Sequence, residues 1–282
     1  MRHHLIRNGG RHEGSLHRHF NSGNCSCTIL CWNSRQTSTF SPPFPRSATS
    51  ILNTIPLPDG LPKPVERFYQ LIYGENIPVI DSAVVSGRLH LRIMGITFPG
   101  RFRFVHETGK GYRHYIETTL LGFPIMKVNE FYLNGKGRLE LPFGISEGPE
   151  IDQGGNLGMW AESTFFPAIW LTDPRVRWEP LDQDSAILIV PFGEQEERFI
   201  VRFDPQTGYL KLMEAMRYKS AGDKHKVLWL AKTLEWGSVD GHFLMLEGNA
   251  TWLDEGKPWA IFTVDDVVYQ VDVSEYIHAH GL

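Results

Sequence analysis

The chain has 282 residues, 41% hydrophobic and 21% charged, a balance that excludes a disordered or fibrous protein and leaves room for a substantial core. A formal charge of −4 and a pI near 6.3 give no broad basic surface, so neither nucleic acid nor an anionic membrane is an expected partner. No apolar run approaches the roughly 18–20 residues of a membrane-spanning helix.

Residues 1–50 stand apart. They carry six Arg, no Lys and one acid, Glu13, which leaves 22 basic and 31 acidic residues to the remainder. All three cysteines, Cys25, Cys27 and Cys31, lie in this leader, so no disulfide can staple the rest of the chain. The Arg- and Ser-rich, acid-poor composition suits an organellar transit peptide. A secretory signal would need an apolar stretch of roughly 7–15 residues, and Thr28–Trp32 is too short. His17, His19 and the three cysteines could ligate zinc, but the spacing C-x-C-x3-C lacks a second paired motif and apolar residues to build a knuckle. Residues 1–54 are therefore expected to be a disordered leader and Pro-rich linker, and 55–282 a single domain. A cytoplasmic location is the expectation, with organellar targeting left open.

Pro62-Lys-Pro64 marks a helix start, and Val65, Phe68, Tyr69 and Ile72 fall at i, i+3, i+4 and i+7. This predicts a short amphipathic helix over Pro64–Tyr73, ended near Gly74. Beyond it the period is two. Strands are predicted over Val84–Met94, Phe102–Glu107, Tyr112–Leu120, Ile125–Leu133 and Gly137–Leu141, the last two joined by an Asn134-Gly135 hairpin. The alternation resumes over Ala186–Pro191, Arg198–Asp204, Tyr209–Tyr218, Val227–Trp236, Phe243–Leu253 and Ala260–Val273. Short connections imply antiparallel pairing, so the fold class is mainly β: a large antiparallel curved sheet or open barrel of about 10–12 strands.

The two runs are separated by "IDQGGNLGMWAESTFFPAIW", in which Leu157, Trp160, Ala161, Thr164, Phe165 and Ala168 keep a helical stripe. Asp152 or Asn156 can cap this helix and Pro167 would kink its last turn. Its expected place is the concave face of the sheet. Glu162 is its odd residue, because Gly158, Met159, Phe165 and Phe166 at −4, −3, +3 and +4 offer it no polar partner. A carboxylate so placed needs a cation from the sheet, and Arg217, between Met216 and Tyr218, is the partner nominated.

The segments "LPKPVERFY" (Leu61–Tyr69), "LNGKGRLEL" (Leu133–Leu141) and "LGMWAESTFFPAIWL" (Leu157–Leu171), with Arg217-Tyr218 at a strand end, occur in the order seen in a largely bacterial family of unassigned function. Members open with Leu-Pro-x-Pro-Val-x-Arg-Tyr. The family resembles, in expected fold, the lipoprotein-localisation-factor-like open barrels that bind lipids or other apolar molecules. The resemblance runs from about Ile55 to His278. This chain departs from it with Phe68 in place of Tyr, and with Gly158-Met159 where an Arg-Tyr pair is common.

Other motifs weigh less. Gly144-Ile-Ser146-Glu-Gly148 spells G-x-S-x-G, but a nucleophile elbow needs a strand, a strained turn and an immediate helix. Here Pro142 closes the strand and Pro149 follows, so Ser146 is expected in a loop. Gly109–Glu117 lacks the Gly-Lys-Ser/Thr of a phosphate loop and reads as a β-turn. His106, Glu107, His114 and Glu117 could supply metal ligands, but alternation puts His114 and Glu117 on opposite faces. They are expected as surface polar residues, and His278 and His280 as part of a loose tail.

These features converge on a cavity between curved sheet and helix that binds an apolar or amphipathic, lipid-like small molecule, with no metal and no cofactor. Met159, Trp160, Glu162, Phe166 and Arg217 are the candidate ligand-binding residues. The rival is a cofactor-independent enzyme using the same cavity, with Glu162 as general acid or base. A structural interaction module would need a large exposed apolar patch.

Overall fold

The computed structural model describes residues 52–279; the leader and its candidate metal ligands lie outside the described residues. Strand β1 (Thr54–Pro56) pairs antiparallel with β2 (Asn76–Pro78), and helix α1 (Lys63–Tyr73) runs between them. Pro64 sits in the first turn of α1, where a missing N–H costs nothing, and Gly74 ends the helix at φ +70°. The predicted stripe is what α1 buries: Val65, Phe68 and Tyr69 are all fully enclosed.

The first run of strands comprises β3 (Ser82–Ile93), β4 (Ile96–Glu107), β5 (Gly111–Leu120), β6 (Phe123–Leu133), β7 (Lys136–Leu141) and β8 (Gly144–Glu147). Helix α2 (Pro149–Glu162), a 3-10 turn (Ser163–Phe165) and the short α3 (Ile169–Thr172) follow. The second run is β9 (Arg177–Pro180), β10 (Ser185–Phe192), β11 (Gln195–Phe203), β12 (Leu210–Arg217), β13 (Val227–Val239), β14 (His242–Trp252) and β15 (Pro258–Tyr269), with α4 (Ser274–His278) last. Each run is a meander. They join where β15 pairs with β3, giving one 13-stranded antiparallel sheet with β8 and β9 as unjoined edges. The expected curved, open antiparallel sheet is thus what forms.

The strands that the sequence pattern missed are short ones. β8 and β9 have four residues each, too few for alternation to show. β4 also starts earlier than expected, because Met94-Gly95, both at positive φ, make a tight hairpin turn directly after β3. Ser146 is not in a loop: it lies in β8 opposite Leu139. Helix α2 does begin directly after it, at Pro149, but Ser146 sits mid-strand in an antiparallel edge pair and is not among the residues at positive φ, so the strained apex of an elbow is missing.

Chain order places α2. It must carry the chain from edge β8 to edge β9, and so it crosses the concave face. Two successive residues of its first turns tie it to the two meanders. The buried Asp152 carboxylate accepts from Gly137 N–H and Lys136 Nζ on β7, both at 2.8 Å. Gln153 Nε2 donates to Met216 O on β12 and to Glu197 on β11, each at 2.9 Å. Asp152 is therefore not the cap expected from sequence; the cap position is Gly148. Asp152→Ala leaves a buried N–H at Gly137 without a partner, and urea unfolding is expected to show a loss of about 1–3 kcal/mol. An unchanged midpoint would mean that the helix is held elsewhere.

One large apolar core lies between α1, α2, α3 and the concave face. The convex face carries a smaller cluster in which Val84, Val105 and Tyr115 meet Val273, Tyr276 and Ile277 of the α4 segment. Arg113, buried there, donates from Nε to Ile277 O at 2.6 Å and from Nη1 to Asn129 Oδ1 at 2.9 Å. His278 is not part of a loose tail but the last, exposed residue of α4, and His280 lies outside the described residues.

Candidate functional site: a walled cavity with a histidine–glutamate cluster

The β4–β5 hairpin turns over Thr108-Gly109-Lys110, and its register sets Phe104 opposite His114 and His106 opposite Tyr112. In an antiparallel pair, residues opposite one another share a face, and so do residues two apart on one strand. The two histidines therefore become diagonal neighbours on the concave face. The next pairing puts Glu130 of β6 opposite His114. Glu162, the last residue of α2, descends onto this row from above.

The result is a compact cluster. His114 Nε2 hydrogen-bonds Glu162 Oε2 at 2.7 Å, and His106 Nε2 stands 3.3 Å from the same oxygen. His114 Nδ1 lies 3.7 Å from Glu130 Oε2, and Glu130 accepts from the Tyr112 hydroxyl at 2.7 Å. The His114 ring is stacked between Phe104 and Tyr112, with centroids 3.9 and 4.0 Å away. His106 and His114 are buried, not the surface residues expected from sequence. Glu117 keeps to the opposite face, as alternation required, but it too is buried instead of lying at the surface, and it is paired there with Arg101 at 2.9 Å.

Charge follows from these contacts. Burial alone would push His114 down, but the carboxylates of Glu162 and Glu130 hold its imidazole up at about 9. Burial pushes Glu162 up, yet His114 and His106 outweigh it and hold the carboxyl down at about 2. Burial wins at His106, whose pKa is lowered despite Glu162. A carboxylate held down in this way carries no proton at neutral pH.

Arg217, the nominated partner, does not reach Glu162. Its guanidinium lies over the Trp229 ring at 4.6 Å and the Trp252 ring at 5.7 Å, where cation–π attraction holds it. Gly154 of α2 passes directly above: a Cβ there would stand 3.2 Å from Arg217 Nε. Two histidines on separate strands supply the compensation that sequence assigned to one arginine.

Between helix and sheet lies a cavity of about 500 Å³ that spans both meanders. Leu91, Phe104, Val128, Trp229, Met245 and Phe262 give it an apolar wall, while polar side chains that include His114, Glu130, Glu162 and Arg217 also line it, with Arg92, Glu150, Lys219 and Lys232 among the others. Met159, Trp160 and Phe166 are not among its lining residues; they point into the core, and Phe166 packs its ring 5.0 Å from His106. A wider depression of about 930 Å³ on the opposite face of β11–β14 is lined by Asp184, Arg202, Lys211 and Lys232 and is a shallow, solvated surface.

The cavity's mouth has an unusual rim. The β3–β4, β5–β6 and β7–β8 turns fall at the same end of the sheet, and their tips are apolar. Met94 is 98%, Leu121 88% and Phe143 77% exposed, and Met94 and Phe143 also line the cavity. The turns at the other end of this meander, Thr108–Lys110 and Asn134-Gly135, are polar.

Among solved structures, the chain is similar to a LolA superfamily protein from Nitrosomonas europaea (8% identity, 77% of this chain and 96% of that one, TM-score 0.47). It is also similar to a DUF1329 family protein from Desulfovibrio piger (12% identity, 72% and 92%, TM-score 0.44). A third likeness is to a domain described as an outer membrane lipoprotein-sorting protein from Vibrio parahaemolyticus (11% identity, 69% and 88%, TM-score 0.39). These likenesses are distant, and no ligand or activity is carried from them to this chain. The cytoplasmic location expected from sequence finds no support among these likenesses, one of which is described as an outer membrane lipoprotein-sorting protein domain, and is withdrawn. No curated protein matches the chain. The family model that does match covers residues 51–264, most of the chain, and on that match the protein belongs to DUF6544, a family of unknown function.

Proposed function

We propose that the protein binds an apolar or amphipathic small molecule, lipid-like in character, in the cavity between α2 and the sheet. The carrying observation is the cavity itself: about 500 Å³, with a wall of aliphatic and aromatic side chains and with polar groups such as Glu130, Glu162 and Arg217 set among them. That is the make-up of a site that takes up an apolar body and fixes one polar end. The exposed Met94, Leu121 and Phe143 tips support the same reading, since they give an apolar approach to the mouth. Arg217, which lines the cavity with Arg92, Lys219 and Lys232, can meet an acidic head group: its buried Nε has no hydrogen-bond partner.

Native mass spectrometry of the freshly purified chain is expected to show a bound apolar molecule that organic extraction removes. A fluorescent fatty acid should bind the extracted protein. Ala231 lines the cavity from β13, away from Glu162. Ala231→Phe should fill the space and weaken probe binding by about tenfold or more, the scale of 1.4 kcal/mol, with little change in melting temperature. Equal probe affinity in parent and folded variant would refute the reading.

A further inference from the structure

We propose that His106 Nε2, His114 Nε2 and Glu162 Oε2 form a three-ligand site for a divalent transition cation of the zinc class, with a further coordination position facing the cavity. The three ligand atoms lie within 4.8 Å of one another. Zinc takes imidazole nitrogen and carboxylate oxygen at about 2.0–2.2 Å, which sets tetrahedral ligands about 3.3–3.5 Å apart. His106 Nε2 and Glu162 Oε2 already stand at 3.3 Å. The His114–Glu162 separation of 2.7 Å has to open by a fraction of an ångström, and the two imidazole nitrogens, within 4.8 Å of each other, have to settle to the same spacing.

Two independent features point to a ligand here. The first is His106. Its side chain is completely buried, its Nδ1 has no partner, and its Nε2 is aimed at the cluster 3.3 Å from Glu162 Oε2 without a well-formed hydrogen bond. Buried polar groups are nearly always satisfied, and an orphaned imidazole beside a carboxylate and a second imidazole is what a coordination site looks like without its ion. The second is the outer layer around His114. A metal-bound histidine commonly gives its other ring N–H to a carboxylate, which is itself held by a further hydrogen bond. Here His114 Nδ1 faces Glu130 at 3.7 Å, and the Tyr112 hydroxyl donates to Glu130 at 2.7 Å. The stacked Phe104 and Tyr112 rings hold the imidazole plane fixed.

The donor set selects the ion. Two imidazoles and one carboxylate suit zinc and its first-row neighbours, whereas calcium and magnesium prefer all-oxygen shells. Glu162 and His114 both line the cavity, and the Glu162 side chain is 21% exposed, so the fourth position opens to it rather than to packed core. A water or the anionic end of a cavity ligand would complete the coordination there.

The test uses the full chain with Cys25→Ser, Cys27→Ser and Cys31→Ser, so that leader thiols cannot compete. After chelator stripping, cobalt(II) is titrated by visible absorption and zinc(II) by calorimetry. One saturable equivalent is expected. His106→Asn and Glu162→Gln should each weaken it by about a hundredfold or more, and Glu130→Gln by about 10–100-fold through the outer layer. Absence of saturable binding in the parent, or undiminished binding in a variant that keeps the parent's circular dichroism, overturns the proposal. Ring-nitrogen NMR of the parent probes the site without any variant. Zinc should move the His106 and His114 signals, and spectra in which only leader histidines respond refute the site.

Discussion

Glu162→Ala is expected to lower the free energy of unfolding by about 3 kcal/mol, measured in the presence of chelator. The carboxylate receives a 2.7 Å hydrogen bond from His114 and faces His106. Without it His114 is a buried imidazolium held by Glu130 alone, and it relaxes by losing its proton, which caps the loss. The sign of the pH dependence follows from both partners. A raised histidine contributes fully below its unfolded value and loses the contribution as pH climbs through about 9. A depressed carboxylate contributes above its unfolded value and loses it as pH falls toward about 2. The deficit of Glu162→Ala should therefore be widest between about pH 4.5 and 6.5 and shrink in alkali. Glu162→Gln keeps an acceptor without the charge and should cost less. In double-mutant cycles Glu162 should couple to His114 by more than about 1 kcal/mol and to Arg217 by close to none. The reverse order would restore the arginine pairing and sink the cluster.

The second large effect falls on a residue whose sequence position suggested a ligand contact. Trp160 is fully buried on the core side of α2, so Trp160→Ala should cost about 3–5 kcal/mol in guanidinium unfolding. Its carbonyl accepts from Trp170 Nε1 at 3.2 Å, a bond that survives any side-chain change. The indole nitrogen has no partner. Trp160→Phe therefore loses volume without orphaning a hydrogen bond and should cost only about 1–2 kcal/mol. Should Trp160→Ala leave stability intact and abolish probe binding, the residue would belong to the cavity after all.

The frame of this fold was legible because its signals are local. Val65, Phe68 and Tyr69 announced α1, Asn134-Gly135 the β6–β7 turn, and alternation the long strands. Edge strands of four residues were not, since two side chains on each face make no pattern. The site lay deeper still. His106 and His114 look like scattered strand polars until register is known, and register depends on how Thr108-Gly109-Lys110 turns the hairpin. That Glu162 lacks a partner on its own helix could be read soundly, because it is a matter of spacing. Which distant strand answers it is a matter of topology. The one hint available was parity: counting outward from the turn, His106 and His114 share a phase with Phe104 and Tyr112, the residues that hydrophobicity sends inward.

The pairing of β3 with β15 also bears on how such a chain is made. All other neighbours in the 13-stranded sheet are consecutive in sequence order, and nearly all are hairpins that can zip as they leave the ribosome. β3 alone must wait for a partner from the far end of the sequence. Until β15 is synthesised, its edge stands open along a largely buried run of Val84, Val85 and Leu89, an invitation to any other unpaired strand. During synthesis the vulnerable moment comes late, and it ends with a single strand sliding into a slot between two finished halves.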